Sequence, residues 1–320
     1  MCLNPIFVKG KTFPCRKCVE CKIQYAEDWA RRVMLESKKH EKNCFITLTY
    51  NEDNLPKAGV CKRSAQLFMK RLRKAIAPIK VRYFLCGEYG AKKNRPHYHC
   101  ILFGYDFSDK WFFGYDKRGN AIYRSPLLER VWSVEKKDEH GKKYYESIGF
   151  SSVGEKLDFE SAKYCAKYMQ ADGREFEKLG LNRPFTLMSR RPGLALDVIP
   201  DSVYKTGDLY LDGKRFLAPR AFLKKVKENF PEYYERVILS RKKDKLDKLR
   251  DMLGLDADIQ FLEQDESIQA LAKDLFWQRV INDGREKRKK KFLKIFGKSL
   301  DSEYRIVVSL KRQGTMRKTK

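Results

Sequence analysis

The sequence predicts an α+β fold: an antiparallel central sheet with flanking helices, followed by a basic, mainly helical C-terminal region. Two observations carry this reading. Three strand-like runs at 44–50, 80–90 and 97–104 are joined by one amphipathic helix and one short loop, which suits an antiparallel sheet with helices packed on one face better than a doubly wound parallel one. The character of the chain then changes after "LMSRRPGLAL", where charge-dense helical segments take over, so two domains are expected, 1–204 and 205–320.

The elements follow in order. Residues 22–40 have helical composition, with Ala26, Trp29 or Ala30, Val33 and Met34 on one apolar face. "CFITLTY" (44–50) is β-branched and aromatic and is closed by the turn-like "NEDNLP", which predicts a strand. "KRSAQLFMKRLRKAI" (62–76) is an amphipathic, strongly basic helix; "KVRYFLCGEYG" (80–90) and "HYHCILFG" (97–104) are the next strands. A loop-rich, aromatic stretch at 105–150 predicts a hairpin and further sheet edge, and 158–170 predicts a helix capped by Asp158 or Ser161.

Charge narrows the partner. The 320 residues carry 69 Lys+Arg against 42 Asp+Glu, a net +27 that points to a polyanion. No apolar run reaches the roughly 20 residues of a membrane span, and the start lacks the pattern of a signal peptide. A cytosolic protein is therefore expected. Nine cysteines in a reducing compartment, an odd number, read as metal ligands where they cluster rather than as disulfides.

The segment "NRPHYHCILFG" (94–104) places His97 and His99 on one strand face with Ile101 and Phe103, while Tyr98, Cys100 and Leu102 face the other way. Such a pair is either a metal site or two hydrogen-bonded histidines. A third ligand is at hand if Glu88, at the end of the preceding strand, is more than an ordinary turn residue. Two imidazoles and a carboxylate suit Mn²⁺, or the harder Mg²⁺ more weakly.

Tyr164 and Tyr168 stand four apart on a predicted helix, which puts their hydroxyls on one face, with Lys167 three residues after Tyr164 and Lys163 four before Lys167. Aromatics at that spacing are commonly core. Each tyrosine here has a lysine beside it, which suits a phosphate site better than a dry core. A phenol can attack a phosphodiester when a metal draws charge from the non-bridging oxygens, with Lys167 holding the phosphate or stabilising the phenolate.

"CFITLTY", "RPHYHCILF" and "YCAKY" resemble, in order, the three motifs of HUH endonucleases that initiate rolling-circle replication. More narrowly, "CRKCVECK", "CGEYG", "SAKYCAKYM", "LMSRRPG" and "GKRFLAPRAF" make residues 1–222 resemble the replication initiation proteins of gokushoviruses, phages of the microvirus group. The resemblance implies an HUH-type nicking domain: a nickase that cuts replicative-form DNA at the origin, keeps the 5′ end on tyrosine and leaves a 3′-OH for host polymerase. It assigns His97 and His99 to the metal, Tyr164 and Tyr168 to alternating nucleophiles and Lys167 to the motif lysine, with Glu88 as the less constant third ligand. It also implies action on single-stranded and replicative-form DNA in the cytoplasm of a bacterial host, alongside host helicase or polymerase.

Cys15, Cys18 and Cys21 form C-x2-C-x2-C, and Cys2 completes a set of four thiolates that suits a structural Zn²⁺. Cys44, Cys61, Cys86, Cys100 and Cys165 are expected to be buried as small apolar residues. Lys70, Arg71, Arg73 and Lys74 on the basic helix are expected to neutralise DNA phosphates, with bases stacked on exposed aromatics. Arg190 and Arg191 either join them or are solvated turn residues. From Arg285 onward 14 Lys+Arg against 3 Asp+Glu make a basic arm. Two other readings stand beside nicking: a non-enzymatic nucleic-acid-binding or packaging protein, and a relaxase or transposase of the same chemistry.

Overall fold

The computed structural model describes residues 6–8, 11–16, 18–90, 95–116, 119–154, 157–167 and 174–253. The chain divides into two compact units, one ending at Val198 and one beginning at Ile199.

The first unit opens with an antiparallel pair, β1 (Ile6–Val8) and β2 (Lys11–Phe13), and the helix α1 (Val19–Ser37). Then follow β3 (Asn43–Thr49), α2 (Lys62–Ala75), β4 (Arg82–Tyr89), β5 (Pro96–Phe103), β6 (Trp111–Tyr115), β7 (Ala121–Arg124) and α3 (Pro126–Val131). After these come β8 (Ser133–Lys137), β9 (Lys143–Ser147), β10 (Ser151–Gly154), α4 (Phe159–Lys167), α5 (Arg174–Lys178) and β11 (Phe185–Met188). Seven strands form one sheet in the order β11-β4-β5-β3-β10-β7-β6, and each pair is antiparallel. The 105–150 stretch supplies the expected sheet edge in β6 and β7, and β8 and β9 form a separate hairpin.

Period and burial agree along the strands. In β3, Cys44, Ile46 and Leu48 are buried and their neighbours half-buried, the alternation of a strand with one fully covered face. At the centre, Cys100, Ile101, Leu102 and Phe103 of β5 are all buried, so both faces of the sheet must be covered. The expectation of helices on one face is therefore corrected. Ala65, Phe68, Met69 and Leu72, at helical spacing on α2, cover the face of Ile46, Leu85, Tyr98 and Leu102. On the opposite face Ala26, Ala30 and Val33 of α1 and Ala162, Cys165 and Ala166 of α4 cover Phe84, Cys86, Ile101 and Phe103.

Small residues at these positions let α1 and α4 approach each other and the sheet closely. Helix α4 starts on a reciprocal cap: the Ser161 N–H donates to Asp158 Oδ1 at 2.7 Å, and the Asp158 N–H donates to Ser161 Oγ at 3.1 Å. Across the helices Lys163 Nζ meets Glu27 Oε1 at 3.1 Å. Glu36, fully buried near the end of α1, faces Arg82 Nε of β4 at 2.7 Å and accepts from the Ala195 N–H at 2.6 Å, tying helix, sheet and the 189–197 turn together.

The second unit contains α6 (Asp201–Thr206), the hairpin β12 (Asp208–Leu211) and β13 (Lys214–Leu217), α7 (Arg220–Asn229) and α8 (Pro231–Leu253). Asp212 and Gly213, both at positive φ, make the two-residue turn of that hairpin. The basic arm expected from Arg285 lies outside the described residues. No helix among the described residues is long and apolar enough to cross a membrane.

Candidate active site

Antiparallel register builds the site. Glu88 stands opposite His97, and Thr47 stands opposite His99, so all four side chains project from the same sheet face, the one α4 covers. Tyr164 reaches down from α4 and donates its hydroxyl to Glu88 Oε1 at 2.6 Å. The same carboxylate oxygen lies 2.9 Å from His99 Nε2. The Tyr164 ring meets the His99 ring edge-on with centres 5.2 Å apart, and Phe45 stacks on the other side of His99 at 5.5 Å. Glu88 is only 2% exposed, so its charge depends on these partners rather than on water.

The imidazoles are oriented from behind. His97 Nδ1 lies 2.6 Å from the Arg95 carbonyl oxygen, which can only accept, so Nδ1 carries the proton and Nε2 keeps its lone pair. Burial lowers the His97 pKa below its ordinary 6.5, which favours the neutral, ligating form. His99 Nδ1 lies 3.1 Å from Thr47 Oγ1, a hydroxyl that can donate or accept and so serves either tautomer of the ring. Gly90 makes room for His97: a Cβ there would sit 2.6 Å from His97 Cε1.

Two neutral imidazoles and a carboxylate on one face are a donor set that fits a borderline divalent ion such as Mn²⁺, and Mg²⁺ less well. The near-parallel His97 and His99 rings, 14° apart with centres 6.4 Å apart, set the donors wide of a closed coordination sphere. Tighter is the cysteine triplet, the one group of three among the described residues whose ligand atoms all lie within 4.8 Å of one another.

The remaining expected residues are dispersed. Lys167 closes α4, and Tyr168 and Cys2 lie outside the described residues. Lys163 belongs to the Glu27 ion pair, not to a phosphate site. Lys70, Arg73 and Lys74 are exposed on α2, across the sheet from the His–Glu–Tyr cluster, and Arg71 donates to the Ser133 carbonyl at 2.6 Å. Arg190 and Arg191 are exposed in the turn after β11. Cys44, Cys86, Cys100 and Cys165 are buried as expected, but Cys61 is half-buried because it occupies the N-cap of α2, where its N–H donates to Tyr98 Oη at 2.8 Å. Thr47, Phe45 and the Arg95 carbonyl were not legible in advance, since nothing in a single strand says which residue its neighbour places opposite.

These features define a replication-associated protein of the kind found in small phages. Residues 43–173, which hold the sheet centre and α4, match the profile of the replication-associated protein ORF2 family, and over that span the chain belongs to that family. The chain is 26% identical over 262 residues to the replication-associated protein ORF2 of Spiroplasma virus 4, a match covering 77% of each chain. It is 32% identical over 165 residues to the replication-associated protein VP4 of Bdellovibrio phage phiMH2K, covering 49% of this chain and 47% of that one. With the replication-associated protein ORF4 of Chlamydia phage 1 it shares 31% over 164 residues, covering 49% of this chain and 37% of the other. No solved structure matches the chain significantly.

Proposed function

We propose that this protein initiates phage DNA replication by nicking and rejoining DNA at the origin, with Tyr164 as the attacking group. The observation that carries the reading is the shared carboxylate: Tyr164 Oη and His99 Nε2 lie 2.6 Å and 2.9 Å from one oxygen of Glu88. A nucleophile and a donor set for a divalent ion are thus on one sheet face, within one hydrogen-bonded cluster. When bound, Mn²⁺ or Mg²⁺ held by His97, His99 and Glu88 supplies charge withdrawal from the non-bridging phosphate oxygens.

The chain's own groups do the rest. Tyr164 gives its proton to Glu88 or to water as its oxygen bonds to phosphorus, the P–O3′ bond breaks, and the 3′ oxygen takes up a proton. The DNA 5′ phosphate remains on tyrosine and a 3′-OH is released for a host polymerase. Tyr168, one turn on in sequence, is the second nucleophile that rejoins the ends, and Lys167 steadies the phosphate. Single-stranded DNA finds stacking partners in Trp111, Phe112, Phe113 and Tyr115, all exposed on the edge strand β6, and Arg124 lies 5.3 Å over the Phe113 ring. The setting is the host cell in which the phage replicates.

The test is incubation with single-stranded origin DNA and Mn²⁺, followed by a denaturing gel and peptide mapping of the adduct. The wild type is expected to leave a covalent complex mapping to Tyr164, and Tyr164→Phe to abolish first-strand cleavage while still binding DNA. A wild type that binds and leaves no adduct is a packaging or binding protein instead.

A further inference from the structure

We propose that Cys15, Cys18 and Cys21 hold a single Zn²⁺ ion that clamps the start of α1. The inference does not depend on the nicking reaction. Three sulfurs lie within 4.8 Å of one another, brought together by a short turn between β2 and α1. Arg16 adopts the left-handed conformation at φ 59°, which turns the chain back so that the Cys18 N–H donates to Cys15 Sγ at 3.3 Å. Cys18 is the N-cap of α1 and Cys21 lies in its first turn.

Spacing selects the occupant. Thiolates on one tetrahedral zinc, with bonds of about 2.3 Å, sit about 3.8 Å apart. An iron–sulfur cubane, the other familiar guest of C-x2-C-x2-C, carries each thiolate on its own iron and holds the sulfurs about 6 Å apart. An upper limit of 4.8 Å fits the single ion and not the cluster. Hard cations are unsuited because the donors are sulfur.

The charge is also placed well. One Zn²⁺ with three thiolates is a net anion, and it would rest at the positive end of a helix 19 residues long. The clamp matters because α1 is the platform for α4: Ala26 and Ala30 pack against Ala162 and Ala166, and Glu27 holds Lys163, the residue before Tyr164. Cys21 is six residues before Glu27, about 9 Å along the helix.

The experiment uses the full-length protein purified without chelator. Zinc, iron and acid-labile sulfide are measured per chain, and cobalt is exchanged into the site. One zinc per chain is expected, with little iron and no sulfide, and the cobalt form should show thiolate charge transfer and the strong visible bands of a tetrahedral site. Cys18→Ser and Cys21→Ser should lose the ion, Cys61→Ser should keep it, and removing zinc should lower Tm reversibly. If a serine variant fails to fold, the wild-type cobalt spectrum decides. Metal-free wild type, a Cys15–Cys18 disulfide, iron with labile sulfide, zinc retained in Cys18→Ser, or a Tm indifferent to zinc would each overturn the proposal.

Discussion

Thr47 shows how much a single hydroxyl can govern. It touches neither substrate nor ion, but it is the partner of His99 Nδ1, and fixing that nitrogen orients the ring whose Nε2 faces Glu88. Thr47→Val keeps the shape and removes the partner. We expect the Mn²⁺ concentration needed for half-maximal nicking to rise about 10- to 100-fold, with Tm changed little, as read by a metal titration of cleavage. On α1, burial raises the pKa of Asp28 above 3.8 despite the opposing bonds from Gln24 and Arg31. A carboxyl raised in the fold contributes stability fully below its unfolded pKa and loses it as pH rises through the folded one. Wild type should therefore lose stability relative to Asp28→Asn as pH climbs from about 4, as measured by urea unfolding at each pH; parallel curves would contradict this.

At the scale of elements, the site depends on how closely α4 lies on the sheet. Ala162, Cys165 and Ala166 have no exposed surface, and they meet Ala26 and Ala30 across the helix pair. A larger side chain there has no space to enter, so α4 must lift and carry the Tyr164 hydroxyl off Glu88. Ala162→Leu is expected to cost about 1–3 kcal/mol in chemical denaturation and to reduce adduct formation more than DNA binding. Equal losses of both would mean that the helix position does not matter to the nucleophile.

For the whole molecule the governing quantity is net charge. At +27, with Lys70 and Lys74 exposed on the sheet face opposite the site, the protein offers cations well beyond the scissile phosphate. Single-stranded binding should weaken with log salt at a slope of about −0.7 for each phosphate neutralised. Anisotropy titrations should show wild type and Lys70→Gln/Lys74→Gln differing in that slope and not in the position of the cut. An identical slope would place the DNA entirely on the site face.

The strands of "CFITLTY", "VRYFLCGEY" and "HYHCILF", the α2 stripe and the α4 cap could be read directly, because period, β-branching and capping residues are local properties. So could His97, His99, Glu88 and Tyr164 as a set of chemical types. Whether helices cover one face or both was not local: it followed only when β5 was seen buried between two neighbours. The same holds for Thr47 opposite His99, for Lys163 turned to Glu27, and for α2 standing on the far side of the sheet from Tyr164. Residue type and spacing along the chain determined what chemistry this protein carries; strand register and helix packing, which join residues up to 76 positions apart, decided which of those groups meet.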